Sequence, residues 1–452
     1  MLYSRIALSL IISVSVTVAL ELDIEDKDSV CAAAAAIVQG EWNYYDAFNY
    51  GGVIGKFTTP YYWWQAGLCF GGMLHYFQVC DPTNSTLEKL IFDGMYIQAG
   101  DDYNYMPSNE TFVEGNDDQG VWGLTTMEAV ERNFTNSEDH SWLELTQAIY
   151  NTMNSRWDET NCGGGLRWQI FTWNSGYDYK NSIANGCLFH ISARLARYTK
   201  NDTYVETADR IWNWMISVGF IVYEDVDGGE FIIYDGGNIP TCSEKVTKLR
   251  WSYNYGIFMA GCAYLYNHTQ NDTWAERAQE ILTAGSYFFN GEIMTETTCQ
   301  HAGTCNNDQR SFRAIWARCL SLTSILIPHL YDDIRPYIED NAAAAAASCS
   351  GGSDGVTCGL DWSVKKWDGK YGLGEQMSAL EVIMAVLSKV ETAPYTSTNG
   401  GSSKGNPEAG TNTNTETNRK LVTITGKDRA GAGILTALVL LIILGGGVWM
   451  IF

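Results

Sequence analysis

An all-α fold, an (α/α)6 barrel of six helical hairpins forming a single domain, is what the sequence predicts, and three observations carry it. Apolar residues between positions 28 and 391 recur mostly at helical rather than strand spacing. Loops rich in Gly, Asn and Asp cut that stretch into twelve segments. Segments apolar on several faces alternate with amphipathic ones, as they would if an inner layer of helices were sheathed by an outer one.

Taken in order, the segments run over 28–46, 61–79, 86–100, 117–134, 140–156, 180–199, 203–222, 251–267, 273–290, 310–328, 332–347 and 372–391. The runs Asn185 to Ile191 and Gly256 to Cys262 leave no polar face, so their helices are expected inside. The segments 203–222 and 273–290 carry charged stripes, Glu206 with Arg210 and Glu276 with Glu280, and are expected outside. Ala342 to Ala347 needs only to be a well-formed helix, and Glu230 to Tyr234 reads as a small hairpin on a loop.

Both ends read as processing signals. Arg5 precedes an apolar run, Ile6 to Ala19, and then Glu21-Leu22-Asp23, which is the layout of a secretory signal peptide over 1–19. The domain proper is expected at 20–393. A Ser-, Thr-, Gly- and Asn-rich linker at 394–433 with a GPI-attachment region follows, and 434–452 is a hydrophobic tail with no basic anchor behind it, as in a GPI signal whose tail is removed. The expected location is therefore the outer face of the plasma membrane. Six sequons beginning at Asn84, Asn109, Asn133, Asn201, Asn267 and Asn271 agree with a secretory route. So do twelve cysteines, among which Cys299 with Cys305 and Cys349 with Cys358 make plausible short loops.

A net charge of −23, with no basic stripe, argues against nucleic acid as a partner. The six His and twelve Cys show no metal-ligand spacing, so no metal and no cofactor are expected, although Asp225-Val226-Asp227 offers a weak ion site. In a secreted, acidic, aromatic-rich chain, paired carboxylates draw attention as the equipment of glycoside chemistry. Three Asp-Asp pairs exist: Asp101-Asp102, Asp117-Asp118 and Asp332-Asp333. At a helix start such residues are first of all caps and dipole partners. Asp117-Asp118 stands apart, because it follows Glu114-Gly115-Asn116 and precedes Gln119-Gly120-Val121-Trp122. Neighbouring carboxylates can lie near the ~5 Å separation of retaining glycosidases, and mutual repulsion raises the pKa of one.

Those residues resemble glycoside hydrolase family 76, the α-1,6-mannanases, and especially its fungal GPI-anchored cell-wall branch. The likeness runs through Asn116 to Trp122, Cys162 to Gln169, Lys180 to Gly186 with Arg194 to Tyr198, and Trp251 to Gly256, in that order. Two positions depart from the bacterial pattern: Tyr255, where Gln is frequent, and Phe312-Arg313-Ala314, in place of Phe-Lys-Gly. The resemblance implies an (α/α)6 catalytic domain, Asp117 as nucleophile and Asp118 as general acid/base. It also implies an α-mannan or GPI-core glycan as donor and cell-wall β-glucan as acceptor, so that GPI-anchored wall proteins would be substrates. Sugar-facing aromatics and amides are expected at Trp63, Trp64, Trp122, Trp168, Tyr253 and Asn254. The rival expectation is a non-catalytic mannan-binding or wall-organising surface protein, and in either case a monomer.

Overall fold

The computed structural model describes residues 20–224, 230–412, 417 and 426–451. The expected signal peptide and the Asp225-Asp227 ion site lie outside the described residues. Twelve helices follow the expected segments one for one: α1 (Lys27–Trp42), α2 (Trp63–Cys80), α3 (Ser85–Ile97), α4 (Asn116–Glu131), α5 (Trp142–Ser155), α6 (Ser182–Thr199), α7 (Thr203–Ser217), α8 (Ser252–Thr269), α9 (Asp272–Ala284), α10 (Phe312–Leu326), α11 (Tyr331–Ser348) and α12 (Leu373–Ala385). A further helix, α13 (Gly426–Ile451), belongs to a separate unit, Thr415–Phe452. Among the described residues no helix is long and apolar enough to cross a membrane.

The even-numbered helices form the inner ring. α2 packs on α4, α4 on α6, and so on through α8, α10 and α12, and α12 returns to α2 and closes the circle. Each odd-numbered helix lies outside its neighbours. Burial follows this division: every residue of α6 from Ser182 to Tyr198 is buried, whereas α9 buries only one stripe, including Trp274, Ala278 and Ile281. A helix apolar all round has no choice but the inner ring.

Short strands decorate the loops. β1 (Tyr179–Asn181), β4 (Gly236–Asn238) and β5 (Val246–Thr247) form one small antiparallel sheet, while β2 (Ile221–Glu224) with β3 (Glu230–Ile233) and β6 (Phe289–Asn290) with β7 (Ile293–Met294) form hairpins. The β2–β3 pair is the hairpin expected around Glu230–Tyr234. Disulfides join Cys299 to Cys305 and Cys349 to Cys358, as their spacing suggests, and also Cys31 to Cys80 and Cys162 to Cys242. Cys69, Cys187, Cys262 and Cys319 are buried thiols on inner helices.

Residues 394–410 lie against the barrel as an ordered strap: Tyr395 N–H donates to Glu131 O, Ser397 N–H to Tyr198 O, and Asn151 Nδ2 to Pro407 O and Ala409 O. Composition alone reads this stretch as linker, but its Ser, Gly and Asn backbone meets polar partners at the ends of α4, α5 and α6.

Candidate active site

All six inner helices begin at the same end of the barrel, and the loops there enclose a cavity of about 500 Å3. The first turns of α2, α4, α6, α8 and α10 supply its floor through Trp64, Asp117, Asp118, Ile183, Tyr253 and Phe312. Helix N-termini carry partial positive charge, so their convergence favours carboxylates in this place.

Asp117 and Asp118 occupy the second and third positions of α4 and are partly buried. Asp118 Oδ2 accepts the Gly115 N–H at 2.6 Å, which is the back-bonding half of a capping box. Asp117 Oδ1 accepts the Asp118 N–H at 3.1 Å, and its Oδ2 faces Asn181 Nδ2 at 3.4 Å. Asn181 is itself the cap of α6, accepting the Ala184 N–H. Withdrawal from water pushes Asp117 up to about 7 against the relief of these hydrogen bonds. Asp118 rises well above the carboxylate range, through burial first and the charge of Asp117 second. Both carboxyls are thus raised and the pair titrates as a unit, an arrangement suited to a nucleophile beside an acid.

The loop carrying Trp168 is held in place by several devices. Gly163, Gly164 and Gly165 all take positive φ, and a Cβ on Gly165 would fall 2.2 Å from the Trp214 ring. The fully buried Lys180 donates from Nζ to the carbonyls of Asp158, Asn161 and Gly164 at 2.6–2.8 Å. The Cys162–Cys242 disulfide ties the same loop to the turn after β4. Trp168 O then accepts the Asn116 N–H at 2.7 Å, joining this loop to the start of α4. Gly115 completes the junction: a Cβ there would sit 2.2 Å from Asp117 Oδ1 and 2.9 Å from Trp168 O.

Three of the six expected sugar-facing residues line the cavity: Trp64, Trp168 and Tyr253. Trp168 is 38% exposed at the mouth, and Tyr253 stacks on Phe312 with centroids 3.8 Å apart. The structure corrects the placement of the other three. Trp63 and Trp122 are buried against each other, with Trp63 Nε1 donating to Gln98 Oε1 at 2.7 Å, so their rings fill the core. Asn254, one position beyond Tyr253, is turned about 100° away from it and is fully buried. Asp101 and Asp102 sit on an outer loop after α3, and Asp332 and Asp333 open α11; neither pair lines the cavity. Tyr255 and Arg313, the departures from the bacterial pattern, also lie off the cavity: Tyr255 accepts the Ile233 N–H, and Arg313 donates to Met294 O and Leu360 O.

Two further carboxylates face the same space. Asp308 accepts from Trp64 Nε1 at 3.0 Å, and Asp235 accepts from Tyr179 Oη at 2.6 Å and from Trp251. Burial raises the pKa of both. Each stands in an irregular loop brought in by the β1–β4 sheet or by the start of α10, and neither shows any periodicity in sequence. Among the described residues no Lys or Arg lines the cavity.

Of the sequons, Asn109, Asn201 and Asn271 are exposed. Asn84, Asn133 and Asn267 are half-buried, with their amide nitrogens bonded to Asp81, Gly400 and Leu326.

Known proteins match this arrangement over most of the chain. The mannan endo-1,6-alpha-mannosidase DFG5 of Candida albicans is 60% identical over 424 residues, 93% of both chains. The corresponding DFG5 of Saccharomyces cerevisiae is 51% identical, covering 93% of this chain and 92% of its own. Among solved structures, Dfg5 from Chaetomium thermophilum in complex with glucosamine superposes with a TM-score of 0.80 at 35% identity, over 86% of this chain and 97% of that one. An inactive variant of an alpha-1,6-mannanase from Salegentibacter sp. HEL1_6, in complex with alpha-1,6-mannotriose, shares the fold at a TM-score of 0.63 and 15% identity, over 80% of this chain and 100% of that one. Residues 29–398, which hold the whole ring of helices and every residue of the cavity, match Glycosyl hydrolase family 76, and the chain is an enzyme of that family.

Proposed function

We propose that the protein is a retaining α-mannoside-active enzyme working by double displacement on an α-1,6-linked mannose chain. The observation that carries this reading is the Asp117–Asp118 pair, two adjacent carboxylates at the cavity floor, both raised above the ordinary carboxylate range by withdrawal from water. Asp117 attacks the anomeric carbon while Asp118 protonates the departing oxygen, leaving a mannosyl ester on Asp117. Asp118 then takes a proton from the incoming hydroxyl, which displaces the ester and restores the original configuration. Tyr253 on Phe312, with Trp64 and Trp168, offers flat apolar surface to pyranose rings, and Asp235, Asp308 and Asn181 offer hydroxyl partners. A lining whose charged groups, among the described residues, are the carboxyls of Asp117, Asp118, Asp235 and Asp308 also suits a glycan bearing an amine, in keeping with the glucosamine complex of the Chaetomium relative. This supports the GPI core, a mannose chain on glucosamine, as donor and a β-glucan hydroxyl as acceptor, with GPI-anchored wall proteins thereby transferred to the wall.

The location that fits this work is the outer face of the plasma membrane, with the tail 434–452 exchanged for a GPI anchor. The test is mass spectrometry of the purified ectodomain with an α-1,6-mannoside or GPI-glycan fragment and a β-glucan oligosaccharide. A donor–acceptor conjugate that is absent with Asp117→Asn is the expected product. Free reducing mannoside without conjugate would replace transfer by hydrolysis, and binding without turnover would replace the enzyme by a lectin.

A further inference from the structure

We propose that an N-linked glycan on Asn201 seats in a groove between the 394–410 strap and helices α5–α7 and clamps the strap to the barrel. The groove holds about 560 Å3, within the range of small-ligand sites. Its walls come from both sides: Gln147, Thr199 and Tyr204 on the barrel, and Ser397, Ser403 and Pro407 on the strap. Hydroxyls, an amide and the exposed ring of Pro407 are the groups that meet a pyranose, which offers hydroxyls at its edge and an apolar face.

Asn201 lies on the rim of this groove in the sequon Asn201-Asp202-Thr203. Its Oδ1 accepts the Thr203 N–H at 3.1 Å, whereas its Nδ2 has no hydrogen-bond partner among the described residues. Contrast Asn133 and Asn267, whose Nδ2 groups donate to main-chain carbonyls. On glycosylation, Nδ2 forms a bond to the anomeric carbon of N-acetylglucosamine and releases one proton, and the pyrophosphate of a lipid-linked oligosaccharide departs. The remaining N–H and the Oδ1 cap are kept. The first sugars then touch the barrel and the strap together, so they add contacts that exist only while the strap is docked.

The strap carries its own reporter, because Lys404 is exposed and precedes Gly405. With the secreted full chain, glycopeptide mass spectrometry should find Asn201 occupied. Limited trypsin digestion after Lys404 should run at least about fivefold faster in both Asn201→Gln and Thr203→Ala, since cleavage follows the population of the open strap. Asn271→Gln, which removes a sequon away from the groove, should leave the rate unchanged. An unoccupied Asn201, or an occupied one whose loss does not change the cleavage rate, overturns the proposal. Should neither variant be secreted, endoglycosidase treatment of the native wild type decides. The Asn201 glycan should be released more slowly than that of Asn271, and strap cleavage should accelerate on its release. Equal release with unchanged cleavage overturns the clamp.

Discussion

Asp117 sits where chemistry and folding pull in opposite directions. Its folded-state pKa of about 7 lies above that of the unfolded chain, so the folded protein keeps a proton that the unfolded chain gives up near pH 4. The group's contribution to stability is whole below that point and is lost as pH rises through 7. Asp117→Asn should therefore be more stable than wild type at pH 8, with the two Tm values converging near pH 4. The same variant should lose at least about 10³-fold in turnover if the proposed nucleophile is the one removed. Wild-type activity should fall as pH drops below about 7, where Asp117 takes up its proton. A thermal-shift series and a pH–rate profile check all three. At the neighbouring position, Gly115→Ala places a methyl on the Asp117 carboxylate and against the main-chain Trp168 O, and should cut kcat and lower Tm together. What the sequence does not disclose at this scale is direction. Trp63 and Trp64 are adjacent and alike, yet one reaches Gln98 in the core and the other Asp308 in the cavity, and only the packing of neighbouring helices decides between them.

The inner helices divide their charges by end. At the end away from the cavity, Arg194 donates to Glu131 at 2.7 Å and to Glu128 at 3.0 Å, Tyr264 donates to Glu131 at 2.7 Å, and Arg318 pairs with Glu381. Arg132 and His75 both meet Glu391. Arg194, Glu128, Glu131 and Glu381 are buried and Arg132, Arg318 and Glu391 half-buried, and the arginines hold the Glu128 carboxyl far below its ordinary range. Removing one partner strands the others, so Arg194→Met should cost about 3–5 kcal/mol in denaturant unfolding. The residual folded fraction should keep its specific activity, because the network lies away from the cavity. The helices themselves were legible from apolar spacing, since a segment buried all round and one buried on a stripe differ in composition at every turn. The ion network was not, because a charge on an inner helix looks the same in sequence whether it meets solvent or a partner three helices away.

The larger of the two units is a barrel with six parallel inner helices, whose N-termini surround an acidic cavity, and a strap that runs along its outside. The barrel was legible because twelve alternating segments leave few other closed arrangements. The strap was not, because Ser, Gly and Asn read as linker wherever their backbone partners are supplied by distant helix ends. A chain ending at 393 should fold with a Tm lower by at least about 2 °C than one ending at 412, since it loses the buried Thr396, Ser403 and Ala409 and uncovers the barrel groups they meet, among them Leu143 N–H. Differential scanning calorimetry of the two chains distinguishes a domain edge at 393 from one beyond 410.

The claim that a mannosyl ester forms on Asp117 is tested most directly by trapping it. Incubation with a slowly turned-over activated α-mannoside, followed by peptide mass spectrometry, should place one mannosyl adduct on Asp117, and the Asp117→Asn chain should carry none. An adduct on Asp118 or Asp308, or turnover with inverted anomeric configuration and no adduct, would contradict the account.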